Sequence, residues 1–109
     1  MKSETTERLL GALKTGKENA VSRQSLALLF DGSDRNMRRA VAQARLEGVC
    51  ICNEQDGGGY YLPDTQEELK RQYAQTKNRA RAIFAQLKYI REKMGIDGQL
   101  DLHLESVTK

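Results

Sequence analysis

Apolar residues in the first half of the chain fall in short groups at helical spacing, each closed by a glycine or a capping residue. Leu9, Leu10 and Leu13 share one stripe and predict a helix over residues 5–14, with Gly16 as its stop. A short extended piece is expected at residues 19–21. Ser22 can then cap a second helix, RQSLALLF, that turns Leu26, Leu29 and Phe30 inward. The tripeptide DGS, residues 31–33, predicts a tight break in which glycine supplies the turn and Ser33 caps a third helix. Asp34 at the start of that helix suits the positive end of its dipole.

The third helix is expected to reach about Leu46 and to stop at Gly48. The period then changes from helical to alternating. Val49 and Ile51 alternate with Cys50 and Cys52, QDGGG supplies turn residues, and YYL reads as a returning strand closed by Pro63. The predicted unit is mainly α with a small β-hairpin, an α+β arrangement that buries helix stripes against the hairpin.

From Asp64 no proline or glycine appears until Gly95. Asp64 or Thr65 can cap a long helix whose first turn holds Glu67 and Glu68. Leu69, Tyr73, Thr76, Ala80, Ile83, Leu87, Ile90 and Met94 are spaced 4-3-4-3-4-3-4, a heptad seam. Such a seam extends over about 40 Å of helix. It predicts self-association, with Leu69, Tyr73, Ile83, Leu87, Ile90 and Met94 as the contact residues. Lys70, Gln72, Lys77, Arg79, Phe84, Gln86, Arg91 and Lys93 flank the seam and none is acidic. A dimer is the favoured homo-oligomer, but a parallel one would set like charges together without compensation and is the less favoured form. The alternatives are an antiparallel pair, a higher bundle in which Phe84 widens the seam, or a helix whose N-terminal half packs on its own domain while only the C-terminal half pairs with another chain. Leu100, Leu102 and Leu104 then alternate with polar residues, predicting a strand or a disordered tail over 96–109.

Length and charge refine this picture. At 109 residues the chain suits one domain at 1–63, an appended basic helix at 64–95 and the tail. A net charge of +3 is too small to imply a polyanionic partner, but its distribution is uneven. Between Leu69 and Lys93 eight basic residues accompany one acid, Glu92. The longest apolar run is only Leu26 to Phe30 and the first residues carry acids, so neither a membrane span nor a secretory leader is expected and a cytoplasmic location is. Cys50 and Cys52 are expected to share one strand face as core thiols about 7 Å apart, too far for an easy bridge. His103 is the only histidine, so no metal set and no cofactor are expected. The glycine run lacks the Lys-Ser/Thr of a nucleotide loop, and no nucleophile–base pair emerges, so the chain does not read as an enzyme.

The third helix carries the candidate chemistry. Between Arg35 and Leu46 it has four arginines and no acid. On a helical wheel Met37, Ala40, Val41 and Ala44 fall on one side. Arg35, Arg39, Ala42 and Gln43 fall opposite, with Asn36 and Arg38 on the flanks. Guanidinium groups match guanine edges and phosphates, and amides match adenine edges, so this face suits double-stranded DNA; the alternative is the plain solvated face that every amphipathic helix needs.

The stretch SRQSLALLFDGSDRNMRRAVAQARLEGVCICNEQDGGGYYLP resembles the winged helix-turn-helix modules of bacterial repressors such as the biotin repressor. Leu26-Ala27, Gly32-Ser33, Leu46 to Gly48 and Gly59 to Leu62 occupy the matching places. Ala44-Arg45 stands where a Leu-Arg pair is usual, and Phe30-Asp31 departs in the turn. A looser resemblance to small phage or prophage proteins comes from the trailing basic helix. The resemblance implies a transcriptional regulator or a replication accessory protein, with Arg35, Asn36, Arg38, Arg39 and Gln43 as the reading surface and Ser33 and Arg23 beside it. It also implies a wing near Gly57, Gly58 and Gly59, although Glu54 and Asp56 there would repel phosphate. A protein-interaction module, with the long helix docking a partner, is the alternative expectation.

Overall fold

The computed structural model describes residues 2–54 and 57–95, so the expected alternation of Leu100 to Leu104 and the wing residue Asp56 lie outside it. The chain divides into two compact units, the first ending at Gln72 and the second beginning at Tyr73. It is mainly helical, with one antiparallel hairpin and a long C-terminal helix.

Helix α1 is Glu4–Ala12, with the Ser3 side chain accepting the Thr6 amide as N-cap. It stops two residues earlier than its stripe predicts because Leu13 turns extended while remaining 7% exposed. A single 3-10 turn, Lys17–Asn19, occupies part of the segment expected to be extended. Ser22 caps α2, Arg23–Ala27, as its position predicts. The expected continuous helix instead tightens into a 3-10 turn at Leu28–Phe30, leaving Leu29 and Phe30 half-buried.

The cause lies in the turn that follows. Asp31, not glycine, takes the first left-handed conformation at φ 55°, and Gly32 follows at φ 80°. The Gly32 amide reaches back to the Ala27 carbonyl at 3.0 Å, which closes the helix end in a Schellman-type loop. Ser33 then caps α3, Asp34–Leu46, by accepting the Asn36 amide at 3.1 Å.

Met37, Ala40, Val41 and Ala44 of α3 are buried as the wheel predicts, and they join Leu9, Leu13, Leu26, Ala27 and Ile51 in one core. Removing a side chain the size of Leu9, Leu26 or Met37 from water contributes about 1.5–3 kcal/mol. Gly48 ends α3 at φ 99°, and the Val49 amide returns to the Ala44 carbonyl.

The hairpin pairs β1, Cys52–Asn53, with β2, Tyr60–Tyr61, in the register Cys52 to Tyr61 and Asn53 to Tyr60. Strict alternation begins only there. Ile51 and Cys52 are consecutive and both buried, while Cys50 is exposed, so the two cysteines are not a pair of core thiols. Both remain free. Burial pushes the Cys52 thiol up to about 12, with Cys50 beside it adding to the effect.

The returning strand is paired on its other edge as well. Val21 and Tyr60 exchange amide–carbonyl bonds of 2.8 and 2.9 Å, and Leu62 bonds to Lys14 and Gly16 at 2.8 Å each. Gly59 lies where these strands meet, with φ 101° and a backbone against that of Val21.

Helix α4, Gln66–Met94, is capped by Thr65, whose hydroxyl accepts the Glu68 amide. Within the first unit the buried side chains of this helix are Glu68 and Gln72, 6% and 8% exposed, while the seam residue Leu69 is 37% exposed. No helix among the described residues is long and apolar enough to cross a membrane.

A methyl group added at Gly59 would sit 2.4 Å from the Val21 carbonyl oxygen, whereas one at Gly57, φ 83°, meets open space. Gly57→Ala is therefore expected to cost about 1–2 kcal/mol from left-handed strain alone. Gly59→Ala adds a backbone clash and is expected to cost at least about 3 kcal/mol. Urea denaturation of the two variants checks the order.

Candidate nucleic-acid interface

The exposed side of α3 is built by the packing of its other side. Because Met37, Ala40, Val41 and Ala44 are fixed in the core, Arg35, Asn36, Arg38, Arg39, Ala42 and Gln43 stand exposed. Arg35 and Arg39 have no partner among the described residues, so both guanidinium groups retain their full set of donors.

The other members of this surface are held to varying degrees. Arg38 reaches Asp34 one turn earlier at 2.7 Å, and Arg23 lies 4.0 Å from the same carboxylate. These pairs join the N-terminal ends of α2 and α3. All three side chains are 41–60% exposed, so the pairs are weak and salt-screened. Ser33 is occupied as the cap of α3. Gln43 donates its amide nitrogen to Glu47 at 2.8 Å.

Arg45 belongs to a different structure. Its Nε and a terminal nitrogen donate to the Ile51 carbonyl at 3.1 and 2.8 Å, and the terminal nitrogen also reaches the Asn53 side chain at 3.0 Å. This fork ties the last turn of α3 to the start of the hairpin. Of the four arginines in the helix, three remain on the open face.

Among the described residues of the hairpin, Glu54 is not the bare acid that its sequence implies. Glu54, whose side chain is only 13% exposed, receives Lys17 at 2.8 Å and Arg71 at 3.1 Å, and its other oxygen accepts the Tyr61 hydroxyl at 3.1 Å. Lys17 foremost, with Tyr61 and Arg71, holds the Glu54 carboxyl below the usual carboxylate range. Burial and the neighbouring carboxylate push the Tyr61 phenol up to about 12. Two half-exposed cations thus share one acid. Neither was legible as part of the hairpin, since Lys17 and Arg71 are distant from Glu54 in sequence and no local motif links them.

The three glycines of the predicted wing have separate roles. Gly57 and Gly58 are exposed, and the Gly57 amide closes a turn on the Glu54 carbonyl at 3.2 Å. Gly59 is buried against Val21 and serves the strand contact already described.

The expected contact residues of the long helix lie open in the single chain. Leu69, Tyr73, Ile83, Ile90 and Met94 are exposed, and Leu87 is half-buried. Comparison with family models, curated proteins and solved structures finds no match for this chain.

Three carboxylates brace the scaffold that presents α3. Glu47 accepts the Ser3 amide at 2.8 Å along with the Gln43 side chain, and these bonds, Gln43 first, hold it at about 2. Glu68 accepts the amides of Asp64 at 2.7 Å and Lys17 at 3.0 Å, which hold it below its ordinary value as well. Since Glu47, Glu54 and Glu68 are all depressed on folding, the stability they contribute is complete above the unfolded carboxylate value of about 4.3. It is lost as pH falls from there towards 2. Thermal unfolding followed from pH 7 to 2 is expected to show a falling midpoint over this window, with a shallower fall in Glu47→Gln.

Proposed function

We propose that the chain is a sequence-selective, double-stranded DNA-binding protein of the winged helix-turn-helix type. The observation that carries this reading is the open face of α3, where Arg35 and Arg39 have no partner among the described residues and the opposite face is locked in the core. A short helix, a three-residue turn and α3 precede a hairpin in chain order, which is the order such a module needs. The N-terminal half of α3 would enter the major groove, with Arg35, Arg39 and Asn36 meeting base edges. Arg23 and Arg38 would exchange Asp34 for flanking phosphates, fixing the register of the helix without reading sequence. Small exposed Ala42 leaves room for the helix to approach the groove floor.

Five neutralised phosphates per module would give a slope of about −4.5 in log affinity against log salt. Selection of bound sequences from random duplexes is expected to return a defined site. On that site Arg39→Ala is expected to cost about 1–3 kcal/mol and to relax preference at one or two base pairs. Arg38→Ala is expected to weaken all sequences alike and to lower the salt slope by about one. Retention on duplex DNA that ignores salt, or an Arg39→Ala variant with unchanged affinity and preference, would falsify the assignment.

A further inference from the structure

The long helix leaves an apolar seam uncovered: Leu69, Tyr73, Ile83, Ile90 and Met94 are 37–65% exposed. A row of large apolar side chains this exposed is the usual mark of a surface that meets a partner. Two helices in contact along it would bury on the order of 1,200 Å², the lower end of stable specific interfaces.

The sizes of the seam residues select both the occupant and its direction. In a parallel pair of identical helices each seam residue meets its own counterpart, so Thr76 would face Thr76 and Ala80 would face Ala80. Two thin layers would then follow one another in the middle of the interface, where packing should be densest. Reversing one helix about a point between Ala80 and Ile83 removes the defect. Thr76 then faces Leu87 of the second copy, Ala80 faces Ile83, and Tyr73 faces Ile90. Every small seam residue meets a large one.

The flanking residues tolerate the same reversal. Lys77 would lie beside Phe84 of the second copy, and Arg79 beside Gln86, so the central flanks pair cations with an aromatic ring and an amide. Lys70 and Arg91 would be the like-charged pair, and they fall near the ends of the interface, where water and salt screen them. We infer that two copies of this chain associate through α4 as an antiparallel pair centred between Ala80 and Ile83.

The test uses the full chain. A nitroxide at Gln66→Cys, in a Cys50→Ser background that leaves buried Cys52 untouched, reads the direction. At 1.5 Å per residue the two labels are expected about 45 Å apart in an antiparallel pair, against roughly 10–20 Å in a parallel one. Light scattering is expected to give a dimer mass at micromolar concentration. Ile83→Glu, at an exposed position, is expected to raise the dissociation constant at least about 100-fold. Leu28→Glu, which replaces an exposed leucine outside the seam, is expected to leave the mass unchanged. A monomer, a higher assembly, a separation under about 20 Å, or loss of pairing in Leu28→Glu but not in Ile83→Glu each overturns the inference. None of these readouts involves DNA, so the pairing and the DNA-binding assignment stand or fall separately.

Discussion

The structure depends on the double pairing of one short backbone segment, residues 60–62. One edge carries the hairpin partner β1, and the other carries Val21, Gly16 and Lys14. Each of these bonds withdraws an amide or carbonyl from water, and each would be costly to leave unmade in a buried setting. Segments from before α2 and after α3 are thereby brought to one place. The helices between them must then close over a common core. Gly59 is the steric condition for this arrangement, since any side chain there would separate Val21 from the returning strand.

A second layer of constraint is polar. Glu68 ties α4 to the loop at Lys17, Gln72 accepts the Asn53 amide, and Arg45 secures the Ile51 carbonyl. These are side-chain bonds to backbone groups that have no place in a helix or ladder. They satisfy those groups and fix orientations that apolar contact, being non-directional, would leave loose. The backbone of α3 is fastened on its inner side in this way, which fixes the direction in which its outer residues leave the helix.

Much of this was legible in the residues. Ser22 and Ser33 cap the helices that their positions predict, and the apolar stripe of α3 alone separates its buried side from its exposed one. Legibility fails where a side chain's partner is brought up by the fold and not by the spacing within one helix or strand. Arg45 counts as one more exposed arginine until the Ile51 carbonyl is placed beside it, and Glu54 reads as a bare acid until Lys17 and Arg71 arrive. Glu68 is the sharpest instance, because a carboxylate is buried only when donors are supplied, and one of them comes from a residue 51 positions away. Asp31 failed differently. Glycine is the usual first left-handed residue of such a turn, but Asp tolerates that conformation better than most, and here the two stand side by side.

The contrast between Cys50 and Cys52 has a practical consequence. Cys50 is open to solvent, while Cys52 is sealed in the core with a thiol that resists ionisation. A thiol reagent should therefore consume one equivalent quickly in the native protein, and the second only when the hairpin opens. The slow phase is a built-in clock for local unfolding, and its ratio to the rate for a free thiol converts directly into the opening free energy at the base of the hairpin.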